Sequence, residues 1–137
     1  MSVNDCRIIE FPKICDHRGN LTVIESERHV PFKVERVFYL YDVPSGTRRG
    51  GHAHRELYLV LVALAGSFEI VLDDGGERRT VRLDRPQQGL LIPPMIWHEM
   101  DNFSGGSVCM SIASAFYDES DYLRDYQEFC VAAGTAV

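Results

Sequence analysis

A long apolar run is the first thing missing. No stretch of ~18 apolar residues occurs in the 137-residue chain, so no membrane-spanning helix is expected. The opening MSVNDCRIIE has no apolar signal core, which argues against secretion. Cysteine is sparse. Cys6, Cys15, Cys109 and Cys130 include no C-x-x-C pair, which argues against a zinc knuckle or disulfide framework and for reduced thiols in a cytoplasmic protein. Of 14 basic residues only Lys13 and Lys33 are lysines, and 20 acidic residues bring the net charge to −6. That balance excludes a broad nucleic-acid-binding surface. There is no repeat, linker or low-complexity segment, and the length suits one domain, residues 1–137.

What is present reads as short strands between turn signals. RIIEF, NLTVIES, RVFYLYD, LYLVLVAL, SFEIVLD, TVRL, GLLIPP and SVCMSIA are the expected strands. LYLVLVAL is nearly all apolar and should be buried on both faces. SFEIVLD alternates, with Phe68, Ile70 and Leu72 on one side, and DDGG at 73–76 is a hairpin turn. Cys109 reads as a small buried hydrophobe. This density of strands predicts an all-β sandwich or barrel. One helix is predicted near the end, in YDESDYLRDYQEF, with Asp118 as its N-cap and Tyr122, Leu123, Tyr126 and Phe129 at helical spacing. The tail VAAGTAV is expected to fray.

The chemistry concentrates in RGGHAHRE, residues 49–56. Side chains alternate along a strand, so His52 and His54 point to the same face. The preceding glycines permit a tight turn and close approach of a ligand. Glu56 shares the parity of the pair, but with Arg55 it reads as a solvated or subunit-contact pair at the strand entrance. H-x-H alone is a weak signal.

Its surroundings strengthen it. G-x-H-x-H, with a further histidine about 40 residues on, resembles the cupin superfamily. Gly66 fits the glycine of the first cupin motif, and Pro93, His98 and Asn102 in PPMIWHEMDN fit the second. Leu59 stands where the first motif carries an acidic metal ligand, and leucine donates neither oxygen nor nitrogen. Three histidines still suit zinc or nickel; the reading adopted is metal-free.

A closer likeness runs along nearly the whole chain. RVFYLYDVPSGTRRGGHAHRE, GSFEIVLDDG, GLLIPPMIWHEMDNFS and SIASAFYDESDYLRDY, in that order, resemble the nucleotide-sugar 3,4-ketoisomerases that act on dTDP-4-keto-6-deoxyglucose. The resemblance implies an RmlC-like cupin (jelly-roll) barrel with a short C-terminal helix, no cofactor, and a homodimer with exchanged strands. It implies that His52 and His54 are catalytic and that Arg49 holds the substrate. Tyr39 would line the same pocket, with Arg18 and His98 beside the sugar. The family often carries glutamine where this chain has Leu59, which bears on substrate geometry rather than on fold.

Moving a ketone from C4 to C3 asks for a base at C3, proton exchange between the two oxygens and an acid at C4. Histidine, with an ordinary pKa near 6.5, serves as either partner. His52 is expected at carbon and His54 at the oxygens, and the two are interchangeable on sequence alone. Tyr39, ahead of Tyr41, is the candidate donor to the enolate. An acidic protein that binds a diphosphate needs local arginine, for which Arg49 and Arg36 are the candidates. Trp97 is read as packing. The rival readings are a 3,5-epimerase, built on a histidine oriented by a carboxylate, and a sugar- or metal-binding cupin without turnover.

Overall fold

Which face of each strand carries the larger apolar residues decides how the sheets stack. In the computed structural model, which describes residues 1–135, the strands are β1 (Arg7–Glu10), β2 (Lys13–Asp16), β3 (Gly19–Thr22), β4 (Arg36–Leu40), β5 (Arg49–His54) and β6 (Leu59–Ala65). They continue as β7 (Phe68–Asp73), β8 (Arg78–Leu83), β9 (Gln88–Ile92), β10 (Trp97–Asp101), β11 (Val108–Ala113) and β12 (Tyr122–Leu123), and the helix α1 (Tyr126–Ala133) follows. The strands form two five-stranded antiparallel sheets, ordered β1-β9-β6-β11-β4 and β12-β5-β10-β7-β8. Stacked face to face they make a jelly roll. The hydrogen-bonded ladders do not close into one cylinder.

Between the sheets lie Leu59, Leu61 and Ala63 of β6 and Leu90 and Ile92 of β9, against Phe68, Ile70 and Leu72 of β7 and Leu83 of β8. The alternation expected for SFEIVLD is therefore real. The apolar run in β6 has a different cause. Val60 and Val62, on its other face, are sealed by Phe11, Val30 and Phe32, so the strand is covered on both sides. Cys109 faces the interior, and burial pushes its thiol pKa up to about 12. The DDGG turn is held by its own carboxylates: Asp73 accepts from the Gly75 amide at 2.7 Å, and Asp74 from the Gly76 and Glu77 amides at 2.9 and 2.8 Å.

The C-terminal region departs from the expected single helix. Asp118 caps only a 3₁₀ turn, Glu119–Asp121. Tyr122 and Leu123 then extend and pair with His54 and Ala53 of β5. The helix starts four residues later than the helical spacing implied, behind Asp125, whose carboxylate accepts from the Glu128 amide at 3.0 Å. The edge of β5 explains this. An unpaired row of N–H and C=O groups competes for the chain, and pairing there also buries Leu123. Trp97 packs as expected, 5.3 Å from Tyr126 and 5.8 Å from Phe129, and pins α1 to the second sheet. Of the tail expected to fray, Val131–Ala133 continue the helix to the left-handed Gly134; Ala136 and Val137 lie outside the described residues.

The hairpin of β2 and β3 stands apart. Among the described residues its strands pair only with each other. Ile14 and Leu21 on it are 59% and 57% exposed.

Candidate active site

The histidine cluster is built near the edge of the second sheet. Gly50 takes φ +86°, and a Cβ there would lie 3.0 Å from the His98 carbonyl oxygen, so only glycine lets β5 and β10 approach this closely. The register beyond this point sets His98 directly opposite His52, and a bulge between His98 and Glu99 re-aims β10. Strand parity then carries His54 to the same side. The three imidazoles converge: ring centres are 5.0 Å apart for His52 and His54, 4.7 Å for His52 and His98, and 5.7 Å for His54 and His98.

Protonation follows from the surroundings. His98 Nδ1 lies 3.1 Å from the Ile96 carbonyl oxygen. A carbonyl only accepts, so Nδ1 carries the proton and Nε2 offers a lone pair. Burial pushes the His52 pKa down to about 3, aided by the charge of His98. Burial also takes His54 down to about 2, with help from His98, His52 and Arg36. His98, wholly enclosed, falls to about 4 through burial, partly offset by the Ile96 carbonyl. All three are neutral bases near neutral pH. His52 Nδ1 and His54 Nε2 are buried without a hydrogen-bond partner among the described residues, although the Gly50 backbone acts on His52 to raise its pKa slightly against the larger effect of burial.

A roof closes this group, and the helical reading of its sequence concealed it. Tyr122 lies 4.5 Å from the His54 ring and 5.0 Å from His52. Arg124 lies 4.3 Å from the Tyr122 ring centre and grips Glu119 with two bonds, 2.7 and 2.9 Å. The Tyr117 hydroxyl also donates to Glu119. These bonds hold the Glu119 carboxyl well below the usual range. The one signal that could have revealed the roof is the alternation Tyr122-x-Arg124, which has strand rather than helix parity.

Of the expected site residues, His52, His54 and His98 come together, and Arg36 joins them. Arg36 and Phe38 face inward because their partners on β11 are the buried Ala113 and Ser111. Tyr39 has the opposite parity. It pairs with Met110, which packs on the outer face of the sheet, and it is 60% exposed. Within one chain it does not point toward the histidine cluster, because the side of β4 that faces inward is set by β11. Tyr39 instead shares a recess of about 190 Å³ with Arg49, Tyr41 and Thr47. Arg18 sits on the projecting hairpin, bonded to Asp16 at 2.7 Å. Arg55 and Glu56 are exposed, as expected for a solvated pair.

The imidazole nitrogens lie within 4.8 Å of one another, so a divalent cation must be weighed. Adjacent ligands on a tetrahedral zinc with bonds of ~2 Å lie only ~3.3 Å apart. Leu59 is buried between Ile92 and Ala113 and supplies no donor. Glu119, the carboxylate whose charge reaches His52, is committed to Arg124. With Arg36 and Arg124 adding positive charge, the donor set fits a cation poorly. The epimerase arrangement is also missing: among the described residues, no carboxylate is hydrogen-bonded to His52, His54 or His98.

A model of the FdtA family, described as WxcM-like, C-terminal, matches residues 4–134. The chain is 46% identical over 123 residues to the TDP-4-oxo-6-deoxy-alpha-D-glucose-3,4-oxoisomerase of Aneurinibacillus thermoaerophilus, covering 90% of this chain and 88% of that enzyme. The crystal structure of QdtA, a sugar 3,4-ketoisomerase from Thermoanaerobacterium thermosaccharolyticum in complex with TDP, is 38% identical with a TM-score of 0.95 over 97% of each chain. A mutant of QdtA in complex with TDP-4-keto-6-deoxyglucose is 38% identical with a TM-score of 0.92 over 93% of each. Matched over nearly all its length, in sequence and in fold, the chain belongs to the FdtA family.

Proposed function

We infer that this chain, as one cupin domain of residues 1–137, is an isomerase that converts dTDP-4-keto-6-deoxyglucose to the 3-keto sugar. The observation that carries this is the pair His52 and His54: neutral, His54 buried and His52 half-buried, each with a ring nitrogen that no described residue pairs, under an aromatic roof. Removing the C3 proton needs a base that is uncharged at working pH, which burial favours, and the same ring, once protonated, is the acid that C4 needs. His52 removes the C3 proton and returns it at C4. His54 moves the proton between the oxygens, and His98 lies beside the sugar with its lone pair turned inward. Arg36 and Arg49 contact the substrate. Tyr39, next to Arg49 in the outer recess, serves the nucleotide end, which leaves the proton relay to the imidazoles. No cofactor takes part, because the substrate's own carbonyl acidifies C3. A cytoplasmic location suits a nucleotide-sugar substrate and four free cysteines, and among the described residues no helix is long and apolar enough to cross a membrane.

The test is direct. Incubation with dTDP-4-keto-6-deoxyglucose is expected to move the carbonyl from C4 to C3, read by NMR. A carbonyl left at C4 with inverted neighbours means an epimerase; binding without product means a non-catalytic module. A chelator is expected to leave turnover unchanged, and loss of activity that added metal restores would revive the tri-histidine cation.

The working unit is a homodimer with exchanged strands. A two-stranded hairpin is marginal by itself, yet β2 and β3 have no other ladder neighbour and expose Ile14 and Leu21. Beside it a groove of about 500 Å³, lined by Ile24, Leu64 and Met110 among others, opens on the outer face of the first sheet. A second copy covers both, and its hairpin brings Arg18 to this chain's sugar. Sedimentation is expected to give a dimer. Ile14→Asp with Leu21→Asp should give monomers of low activity; fully active monomers would remove Arg18 and the partner from the site.

A further inference from the structure

The inward face of β4 holds a cation that the fold leaves unanswered. Nε and Nη2 of Arg36 are buried and donate to nothing among the described residues. The ion pairs of the described residues engage Arg18, Arg28, Lys33, Arg48, Arg78, Arg82, Arg85 and Arg124, but not Arg36. Its guanidinium is 4.8 Å from the Phe38 ring centre and 5.5 Å from that of Tyr117. Two aromatic rings therefore pack against the guanidinium, and neither offers a conventional oxygen or nitrogen acceptor in its plane for the buried Nε and Nη2. Its charge is felt at His54. A guanidinium stays charged at any working pH, and buried donors without an acceptor are unfavourable. Such donors call for an acceptor, and a charged cation favours one that carries or gains negative charge.

We propose that Arg36 is the oxyanion donor of the reaction, its Nε and Nη2 hydrogens binding the substrate's C4 oxygen as that oxygen gains charge. This rests on the ketoisomerase reading and departs from the expectation that Arg36 offsets the diphosphate. The diphosphate hangs from C1, across the sugar ring from C3 and C4. Arg36 packs on Tyr117, which lies 5.6 Å from Tyr122, and Tyr122 in turn lies 4.5 Å from His54, so this cation sits at the reacting end instead. The electrons balance without an oxidant. His52 takes the C3 proton, the C3–H pair becomes the C3=C4 bond, and the carbonyl pair moves onto the C4 oxygen against Arg36. The C3 hydroxyl proton then passes through His54 to the C4 oxygen. The C3 oxygen re-forms a carbonyl, and the C3=C4 pair takes the proton back at C4.

Arg36→Met is expected to lower kcat ~10²–10³-fold, as loss of one oxyanion donor does. The KM and the calorimetric affinity for TDP should stay unchanged. Exchange of the C3 proton in D₂O should fall with kcat, because enolate formation is the step affected. Arg36→Lys keeps the charge but loses the planar fork; it should fall between, and it carries the test if the Met variant fails to fold. Weakened TDP binding with kcat intact, in either variant, would overturn the proposal and make Arg36 a diphosphate clamp. Unmodified protein that turns over no sugar would instead defeat the ketoisomerase reading, so the two failures are distinguishable.

Discussion

His52→Asn is expected to yield a folded protein whose turnover, and whose exchange of the C3 proton with D₂O, both drop ~10²-fold or more, the range for loss of a general base. Asparagine approximates the size of imidazole and keeps hydrogen-bonding groups, but it has no basic lone pair. His52 is only partly buried, and its Nδ1 has no internal partner to orphan, so the fold should tolerate the change. His54→Asn separates the two roles. If His54 moves protons between oxygens, this variant still exchanges C3 hydrogen while product formation collapses. Wild-type exchange in His52→Asn would remove His52 from carbon chemistry; loss of exchange only in His54→Asn would reverse the assignments.

The second large effect is acid instability. His52, His54 and His98 have folded pKa values of about 3, 2 and 4, set first by burial, against an ordinary 6.5. Their folded values lie below their unfolded ones, so between those limits the unfolded chain binds more protons and stability rises with pH. Full stability holds above about pH 6.5 and is lost as pH falls. At ~1.4 kcal/mol per proton per pH unit, three rings set a ceiling near 4 kcal/mol per unit, large beside a typical total of ~5–15 kcal/mol. Denaturant titrations between pH 6.5 and 5, above the carboxylate range, should show this slope, and His98→Leu should make it shallower. A flat profile would mean that the rings reach solvent. The same neutrality places the acid limb of kcat/KM well below pH 6, opposite to the behaviour of an exposed histidine base.

Legibility differed among the elements for identifiable reasons. SFEIVLD alternates strictly and has one answer. The parity of H-x-H brings its rings together in any strand, so the pair could be read locally. RVFYLYD carries large groups on both sides, and parity gives two sets without saying which is inside. Only pairing with β11 put Arg36 and Phe38 within and Tyr39 without. Tyr122 and Leu123 satisfy helical spacing as well as strand parity. Their fate was decided by His54 and Ala53, far off in sequence, whose free edge captured them. The roof of the cavity was therefore hidden, although all its residues lay in one quoted stretch.

By itself, then, the amino-acid order determined what is short-ranged: most of the strands, though not β2, β10 or β12, the hairpin turn, the shared face of His52 and His54 and the kinship of the motifs. Tertiary structure alone decided what depends on distant partners. It set which side of β4 is wet, brought His98 opposite His52, and made burial turn three ordinary imidazoles into bases that stay neutral. Side-chain alternation is a property of one strand, whereas desolvation is a property of everything packed around it.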